Sequence, residues 1–430
     1  MHSQVVLVVL TLCAVAHGKS YEGYQVFSIT PRSRAQLNQL VELQDQFHHE
    51  LDFWSTSPVG KHSEVMVPPY HLAKFRQVLD ERQLEYKLHF PNVQQLIDEE
   101  ARAISSRPRA TTLAAFDYNK YHSLQEIQDW VSNFKQAEST SSLTIEEFTL
   151  PKPSYEGRAI KGLKLTTGSG RLGAYTQGGI HAREWVSPAT VINLIKTFVE
   201  AFKAGDSVAV EFFSKFDWYV IPVLNVDGYH FTRPETPNND RLWRKNRQPT
   251  PVSWCTGTDM NRNYEFEWGG PGSSGYECSE AYRGTSANSA VELKTLRDWL
   301  LGLKNNQKFM IHVDVHSYSQ YWVFPFSYCS SWQKKADHHA ELLLVATAAA
   351  TALKNVYGTH FEVMTSGDWY PAAGASEDFG YKILDAKYSY TIEMRDQGQY
   401  GFELPEDQIE PTGIETYAGF REFFKQVLDA

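Results

Sequence analysis

The chain has no excess of positive charge, no long apolar run beyond its first residues, no glycosylation triplet and few cysteines. Lys and Arg number 41 against 51 Asp and Glu, a net charge of −10. That balance repels polyanions, so nucleic acid is not expected as a partner. Past the N-terminus no apolar stretch reaches the length of a membrane span, and no membrane association is expected. No Asn-x-Ser/Thr occurs, so N-glycosylation is not expected either. Internal repeats and low-complexity segments are also missing. Of four cysteines, Cys13 falls in the first apolar run, leaving Cys255, Cys278 and Cys329. In an oxidising compartment a loop closed by Cys255 and Cys278 fits, with Cys329 a free thiol.

What is present begins with an address. Val5–Leu12 is an apolar core too short to cross a bilayer, followed by small residues Ala14, Ala16 and Gly18. This is the layout of a secretory signal peptide, residues 1–18, cut after Gly18 or after Ala16. The protein is therefore expected to be secreted, extracellular and, in our reading, monomeric. The 430 residues suit two domains. Alternation at residues 24–30, helical spacing at 33–48, a strand at 64–67, a helix opened by Pro68-Pro69 and a strand at 86–90 suggest a small α+β domain. An amphipathic connecting helix follows at about 92–106. It ends in Ser105-Ser-Arg-Pro-Arg-Ala-Thr-Thr112, a basic, polar and exposed segment of the kind that proteases nick. From Ala110 the pattern changes. Strand-like runs at 159–166, 216–223 and 309–315 alternate with helical stretches at 187–202 and 342–357. The expected fold class is α/β, a mixed central sheet flanked by helices, preceded by the small α+β domain.

His181 and Glu184 stand three residues apart at a predicted strand-to-helix junction, Gly178-Gly-Ile-His-Ala-Arg-Glu-Trp185. A histidine and a carboxylate at that spacing reach one cation from a single turn, although H-x-x-E alone is common on surfaces. His316, closing the apolar strand that contains Asp314-Val-His316, would complete a His₂Glu set. Zinc accepts such donors at about 2.0–2.2 Å, and a catalytic site keeps a fourth position open. Strand ends are also where α/β folds place their sites.

From about Tyr24 to the C-terminus the chain resembles the secreted zinc metallocarboxypeptidases, the pancreatic carboxypeptidase A and B family. The resemblance is carried by GGIHAREW, RLWRKNR, DMNRN, HSYSQ, YPAAG, EMRD and YGFELP, in that order. It implies a carboxypeptidase-like fold and one zinc ion per chain on His181, Glu184 and His316. It further implies that Asp259 hydrogen-bonds the first ligand histidine and that Glu393 is the general base and acid. Glu393 would take a proton from the attacking water and pass it to the leaving amine. Arg244 would polarise the scissile carbonyl, and Asn261 and Arg262 would bind the substrate's terminal carboxylate. Tyr370 would close over the terminal residue, with Tyr318, Phe402 and Arg183 along the substrate path. The Cys255/Cys278 spacing matches the family's disulfide. Residues 19–109 would form an activation propeptide folded over the cleft of a catalytic domain at 110–430. A trypsin-like protease would release it near Arg109, since Pro108 hinders cutting after Arg107. The partners implied are peptide or protein C-termini and that protease.

The family's A branch removes apolar terminal residues and its B branch Lys or Arg. Glu377 occupies the pocket-floor position by register, and Ser327 matches a B-branch serine, so basic residues are the expected substrate. A buried carboxylate would otherwise go unpaired. Two departures weigh against this, with A-type specificity for apolar terminal residues the alternative. Glutamate is a methylene longer than the usual aspartate, and Thr365 stands near a B-branch glycine. An amidohydrolase or deacylase on the same zinc cradle is disfavoured by Asn261 and Arg262. An inactive secreted binding protein is disfavoured by the complete ligand set and Glu393.

Overall fold

The computed structural model describes residues 18–47, 50–252 and 254–430. Of the expected signal peptide, residues 1–17, with Cys13, lie outside the described residues. Strands β1 (Gln25–Thr30), β2 (Asp52–Ser55), β3 (Ser63–Val67) and β4 (Glu85–Phe90) form one antiparallel sheet in the order β2-β3-β1-β4. Helices α1 (Arg34–Gln46) and α2 (Leu72–Glu81) cover one face, and α3 (Val93–Ser105) follows. Side chains alternate along a strand. Phe27 and Ile29 of β1 and Val65 and Val67 of β3 accordingly pack with Leu40, Leu43, Phe75 and Leu79 of the helices. The intervening residues Val26 and Met66 join a different cluster, described below. All of β3 is buried, because both faces of the sheet are covered.

Two local expectations differ from the structure. Pro68-Pro69 opens a single 3₁₀ turn (Pro69–His71) that runs into α2. Strand β2 was not expected from the sequence, since four residues are too few to display an alternation.

The second sheet holds β5 (Thr144–Thr149), β6 (Lys161–Thr166), β7 (Leu172–Gly178), β8 (Phe216–Ile221), β9 (Phe309–His316), β10 (Tyr321–Phe324), β11 (Glu362–Thr365) and β12 (Tyr388–Glu393). Their order is β11-β10-β12-β9-β7-β8-β6-β5. The sheet is mixed: β12, β9, β7 and β8 run parallel, while β10 against β12, β6 against β8 and β5 against β6 are antiparallel. Around it lie α4 (Leu124–Glu138), α5 (Val186–Lys203), α6 (Ser207–Lys215), α7 (Val226–Thr232), α8 (Val291–Lys304), α9 (His339–Tyr357), α10 (Ser366–Trp369), α11 (Ser376–Lys382) and α12 (Ile409–Asp429). Every residue of β8 and β12 is buried, so helices and loops cover both faces of the centre. No helix among the described residues is long and apolar enough to cross a membrane.

Cys255 and Cys278 are bonded, with Cα atoms 5.1 Å apart, and Cys329 is a buried free thiol. The segment after α3 is less uniform than its composition suggests. Pro108 and Arg109 are exposed, but Arg107 is tied down by Glu406 (2.6 Å) and by the Tyr121 carbonyl. Ala110 is buried, and its N–H donates to Glu126 Oε1 at 2.7 Å.

Candidate metal centre

Strands β7, β9 and β12 are adjacent and parallel, so their carboxyl ends meet at one edge. His316 is the last residue of β9 and lies opposite Glu393, the last residue of β12. Three residues beyond β7 stands His181. The turn between them is tight: a Cβ on Gly178 would come within 3.0 Å of the Pro222 carbonyl, and Gly179 has φ +61°. Ser187, in the first turn of α5, accepts the Gly179 N–H at 2.9 Å and donates to the Val315 carbonyl. This hydroxyl ties the strand-to-helix turn carrying His181 and Glu184 to the end of the strand carrying His316.

The three donors converge. His181 Nδ1 lies 2.7 Å from Glu184 Oε1, His316 Nδ1 3.1 Å from Glu184 Oε2, and the two Nδ1 atoms are 3.1 Å apart. All three side chains are buried. The outer nitrogens face carboxylates: His181 Nε2 is 3.1 Å from Asp259 Oδ1, and His316 Nε2 is 3.2 Å from Asp314 Oδ2. At His181 the hydrogen bond to Asp259 holds the proton on Nε2 and leaves the Nδ1 lone pair free, while His316 Nε2 lies at ion-pair distance from Asp314 without a hydrogen-bond partner among the described residues. Two Nδ1 atoms 3.1 Å apart beside one carboxylate form a cradle that a cation fits. Tetrahedral zinc with nitrogens at about 2.0–2.1 Å sets them about 3.3 Å apart. The donor set therefore fits zinc, and the field favours a cation. Burial lowers the His316 pKa, yet Asp314 and Glu184 outweigh it and hold it well above the usual value. Burial likewise opposes charge on Glu184, but His181 and His316 keep its carboxyl well below the ordinary range.

Around this centre stand the other expected residues. Arg244 reaches Asp259 Oδ2 through Nη2 (3.0 Å) and Nε (3.3 Å), and its Nη1 is 3.8 Å from Glu184 Oε1. Asp259 thus bridges His181 and Arg244; against burial, Arg244 and His181 keep its carboxyl well below its usual range. Glu393 is 8% exposed, and burial pushes its pKa up to about 8, offset in part by His316 and Arg244. All of β12 is buried, so Glu393 lies within the covered edge of the sheet. Asn261 accepts the Ser376 N–H, which leaves its amide hydrogens free. Arg262 donates Nε to the Gly272 carbonyl and Nη1 to that of Asn261; neither bond uses Nη2. Its guanidinium lies 5.9 Å from the ring centre of the half-buried Tyr370.

Glu377 and Asp378, adjacent in sequence, go different ways. Both are buried. Asp378 accepts the Ser327 N–H and hydroxyl, and burial together with Glu377 pushes its pKa up to about 8. Ser327 therefore serves Asp378 rather than Glu377. Glu377 Oε2 accepts the Thr391 hydroxyl at 3.0 Å. Among the described residues no Lys, Arg or His lies within ion-pair distance of Glu377. A solvent-facing Glu377 is excluded.

The N-terminal unit sits on the remaining expected residues. Arg183 is gripped by Asp52 through two bonds, 2.6 and 3.2 Å, and stacks 4.2 Å over the Phe402 ring. Trp54 meets Phe402 edge-on, Phe402 meets Tyr318, and the Tyr318 hydroxyl donates to Glu64. Val26, Met66, Val93 and Leu242 complete this cluster. The sequence reading missed Asp314, Thr391, Asp52, Trp54 and Glu64. Asp314 alone offered a local signal, two residues before a ligand on the same strand face.

Comparison with known proteins agrees with this geometry. The zinc carboxypeptidase family model matches residues 152–419, and the carboxypeptidase activation peptide model matches residues 27–100. Carboxypeptidase A1 of Bos taurus is 36% identical over 99% of this chain and 99% of its own length. Zinc carboxypeptidase A 1 of Anopheles gambiae is 35% identical, over 96% and 92%. Among solved structures, carboxypeptidase A from Helicoverpa armigera superposes with a TM-score of 0.83 at 26% identity, covering 95% and 98% of the two chains. Thrombin activatable fibrinolysis inhibitor gives 0.79 at 30%, covering 95% and 100%.

Asp314 generates a test. Asp314→Asn should weaken zinc binding about 10–100-fold, because the imidazole of His316 loses its orienting charge. Competition with a chelator measures this, and unchanged affinity would remove Asp314 from the site.

Proposed function

Because the chain belongs to the zinc carboxypeptidase family, as a metallopeptidase zymogen with an activation peptide that acts on peptide C-termini once cleaved, we propose the finer reading that it is secreted and that its mature form removes C-terminal Lys and Arg. The observation that carries this specificity is Glu377, a buried carboxylate that accepts the Thr391 hydroxyl and has no cation at ion-pair distance among the described residues. A terminal Lys or Arg would supply that cation; an apolar residue would leave the charge unpaired, which is costly. The curated relatives named above carry A-type names, which favours the alternative, a preference for apolar terminal residues.

In this reading His181, Glu184 and His316 hold the zinc. When bound, the zinc supplies Lewis-acid chemistry, polarising a carbonyl and acidifying water. Glu393 takes the proton of the attacking water and later gives it to the leaving amine, from a buried position that raises its pKa above the ordinary carboxylate range. Arg244, aimed by Asp259, stabilises the oxyanion, a role worth about 2.7–4 kcal/mol where such donors have been removed. Asn261 and Arg262 take the substrate's terminal carboxylate with the hydrogens their protein bonds leave free. Tyr370 closes over the terminal residue, and Arg183, Tyr318 and Phe402 receive the preceding residues once Asp52, Trp54 and Glu64 leave.

The boundary we propose is the Arg109–Ala110 bond, cut by a trypsin-like protease. Arg109 is exposed, whereas Arg107 is tied down and precedes a proline. The new ammonium of Ala110 would form where its N–H already meets Glu126. The N-terminal sequence of the trypsin-treated protein should begin at Ala110; a start at another residue would move the boundary.

Glu393→Gln should keep its zinc and its melting temperature while losing turnover, and a wild-type rate would exclude Glu393 as the base.

For specificity the comparison is kcat/KM on matched peptides ending in Arg and in Phe. Glu377→Ile should cost basic substrates more than about a hundredfold, since breaking a buried pair costs about 3–5 kcal/mol, and should reverse the preference. A wild-type preference for Phe would return the enzyme to the A branch.

A further inference from the structure

The surface between the activation peptide and the catalytic unit brings carboxylates together in pairs. In the first, Glu64 lies on the outward face of β3 with its side chain 5% exposed. Facing it are the Tyr318 hydroxyl, which donates to it, the loop of Asp396, and His89 of β4 at 3.7 Å. His89 Nε2 is engaged with the Gly398 carbonyl at 2.7 Å. The loop presses close, since a Cβ on Gly398 would fall 2.5 Å from Glu64 Oε1. The Asp396 carboxylate is taken up by the N–H groups of Gly398, Tyr400 and Gly401. No Lys or Arg among the described residues reaches Glu64.

In the second pair, Glu100 of α3 and Glu403 share one guanidinium. Arg241 lies 2.5 and 3.1 Å from the Glu100 oxygens and 3.4 Å from Glu403 Oε2. The side chains of Arg241 and Glu403 are each 2% exposed, and neither Glu403 oxygen has a hydrogen-bond partner among the described residues. Tyr121 and Arg183 are the other charged or titratable groups that face this pair. Buried Glu403 and half-buried Glu100 on one guanidinium leave a negative charge uncompensated, as does Glu64 beside Asp396. Dry, uncompensated carboxylates take protons.

We propose that docking of the activation peptide is proton-linked: Glu64, set against Asp396, and Glu403, set against Glu100, bind protons when the two units close, so the cleaved peptide stays on the enzyme at acidic pH and leaves as pH rises through neutrality. The titration behaviour runs the same way. Burial, with Asp396 adding to it, pushes Glu64 up to about 8, and burial, with Glu100 adding to it, pushes Glu403 up to about 8. Asp396 is raised as well, first by burial. A carboxyl whose pKa is raised in the docked state favours docking fully below its ordinary value near 4.5 and loses that contribution as pH rises through about 8. Each linked proton changes the dissociation constant about tenfold per pH unit inside that window. The Asp52–Arg183 ion pair and the Trp54–Phe402 ring contact also hold the two units together, so cleavage and release become separate events. This inference rests on the zymogen reading, not on which terminal residue is removed.

The test uses trypsin-cleaved protein, with association of the two pieces read by gel filtration at several concentrations between pH 5 and 9. That readout needs no peptide substrate, so it stands or falls apart from the specificity proposal. The wild-type Kd should rise more than tenfold from pH 6 to pH 8. In Glu64→Gln the slope of log Kd against pH should fall by about one and the complex should be tighter at pH 8; Glu100→Gln should also flatten it. Both changes lie in the peptide that leaves, so the released enzyme is the same in all samples. A wild-type Kd that is flat or falls with pH would overturn the proposal. So would a Glu64→Gln complex with the wild-type slope. Should a variant fail to fold, dissociation of the wild-type complex in two buffers of different ionisation enthalpy gives the proton count by calorimetry; a release of no protons at pH 7 would equally overturn it.

Discussion

Two imidazole nitrogens 3.1 Å apart, both beside one carboxylate and each ring with a further carboxylate behind it, form a site built for a cation. Much of the catalytic unit serves that constraint. Three parallel strands end at the same edge, two of them adjacent in register at His316 and Glu393. A hydroxyl on α5 binds the turn bearing the other two donors to the end of β9. Asp259 couples the first imidazole to Arg244, so a single carboxylate orients both a metal donor and the cation beside it.

Positive charge organises the rest of the cleft too, with different partners at each point. Arg183 and Arg241 are met by propeptide carboxylates, Asp52 and Glu100. Arg244 is met by Asp259 from its own unit. Glu377 has no such partner among the described residues. The propeptide therefore covers the outer arginines and aromatic rings and leaves the metal donors in their own internal contacts.

The fold class was legible because central strands such as Phe216–Ile221 and Phe309–His316 are apolar enough to stand out, and long helices such as α9 carry the matching period. Strand β2 was not, since four residues display no period and its pairing with β3 is a tertiary event. His181, Glu184 and His316 could be picked out by residue type, placement and motif, and the structure brings them within 4.8 Å of one another. Glu377 and Asp378 look alike in a sequence; only the backbone of α11 decides that one meets Thr391 and the other Ser327. Asp52, Trp54, Glu64 and Glu100 carried no signal, because their meaning lies in how two separately patterned units meet.

The account turns on the composition of the metal centre. X-ray absorption at the zinc edge of the trypsin-cleaved, zinc-loaded protein tests it most directly. The expected result is one zinc per chain with only nitrogen and oxygen neighbours at about 2.0–2.2 Å and the multiple-scattering signature of two imidazoles, reduced to one in His316→Ala. Sulfur at about 2.3 Å, or a spectrum unchanged by His316→Ala, would place the metal elsewhere and contradict the account.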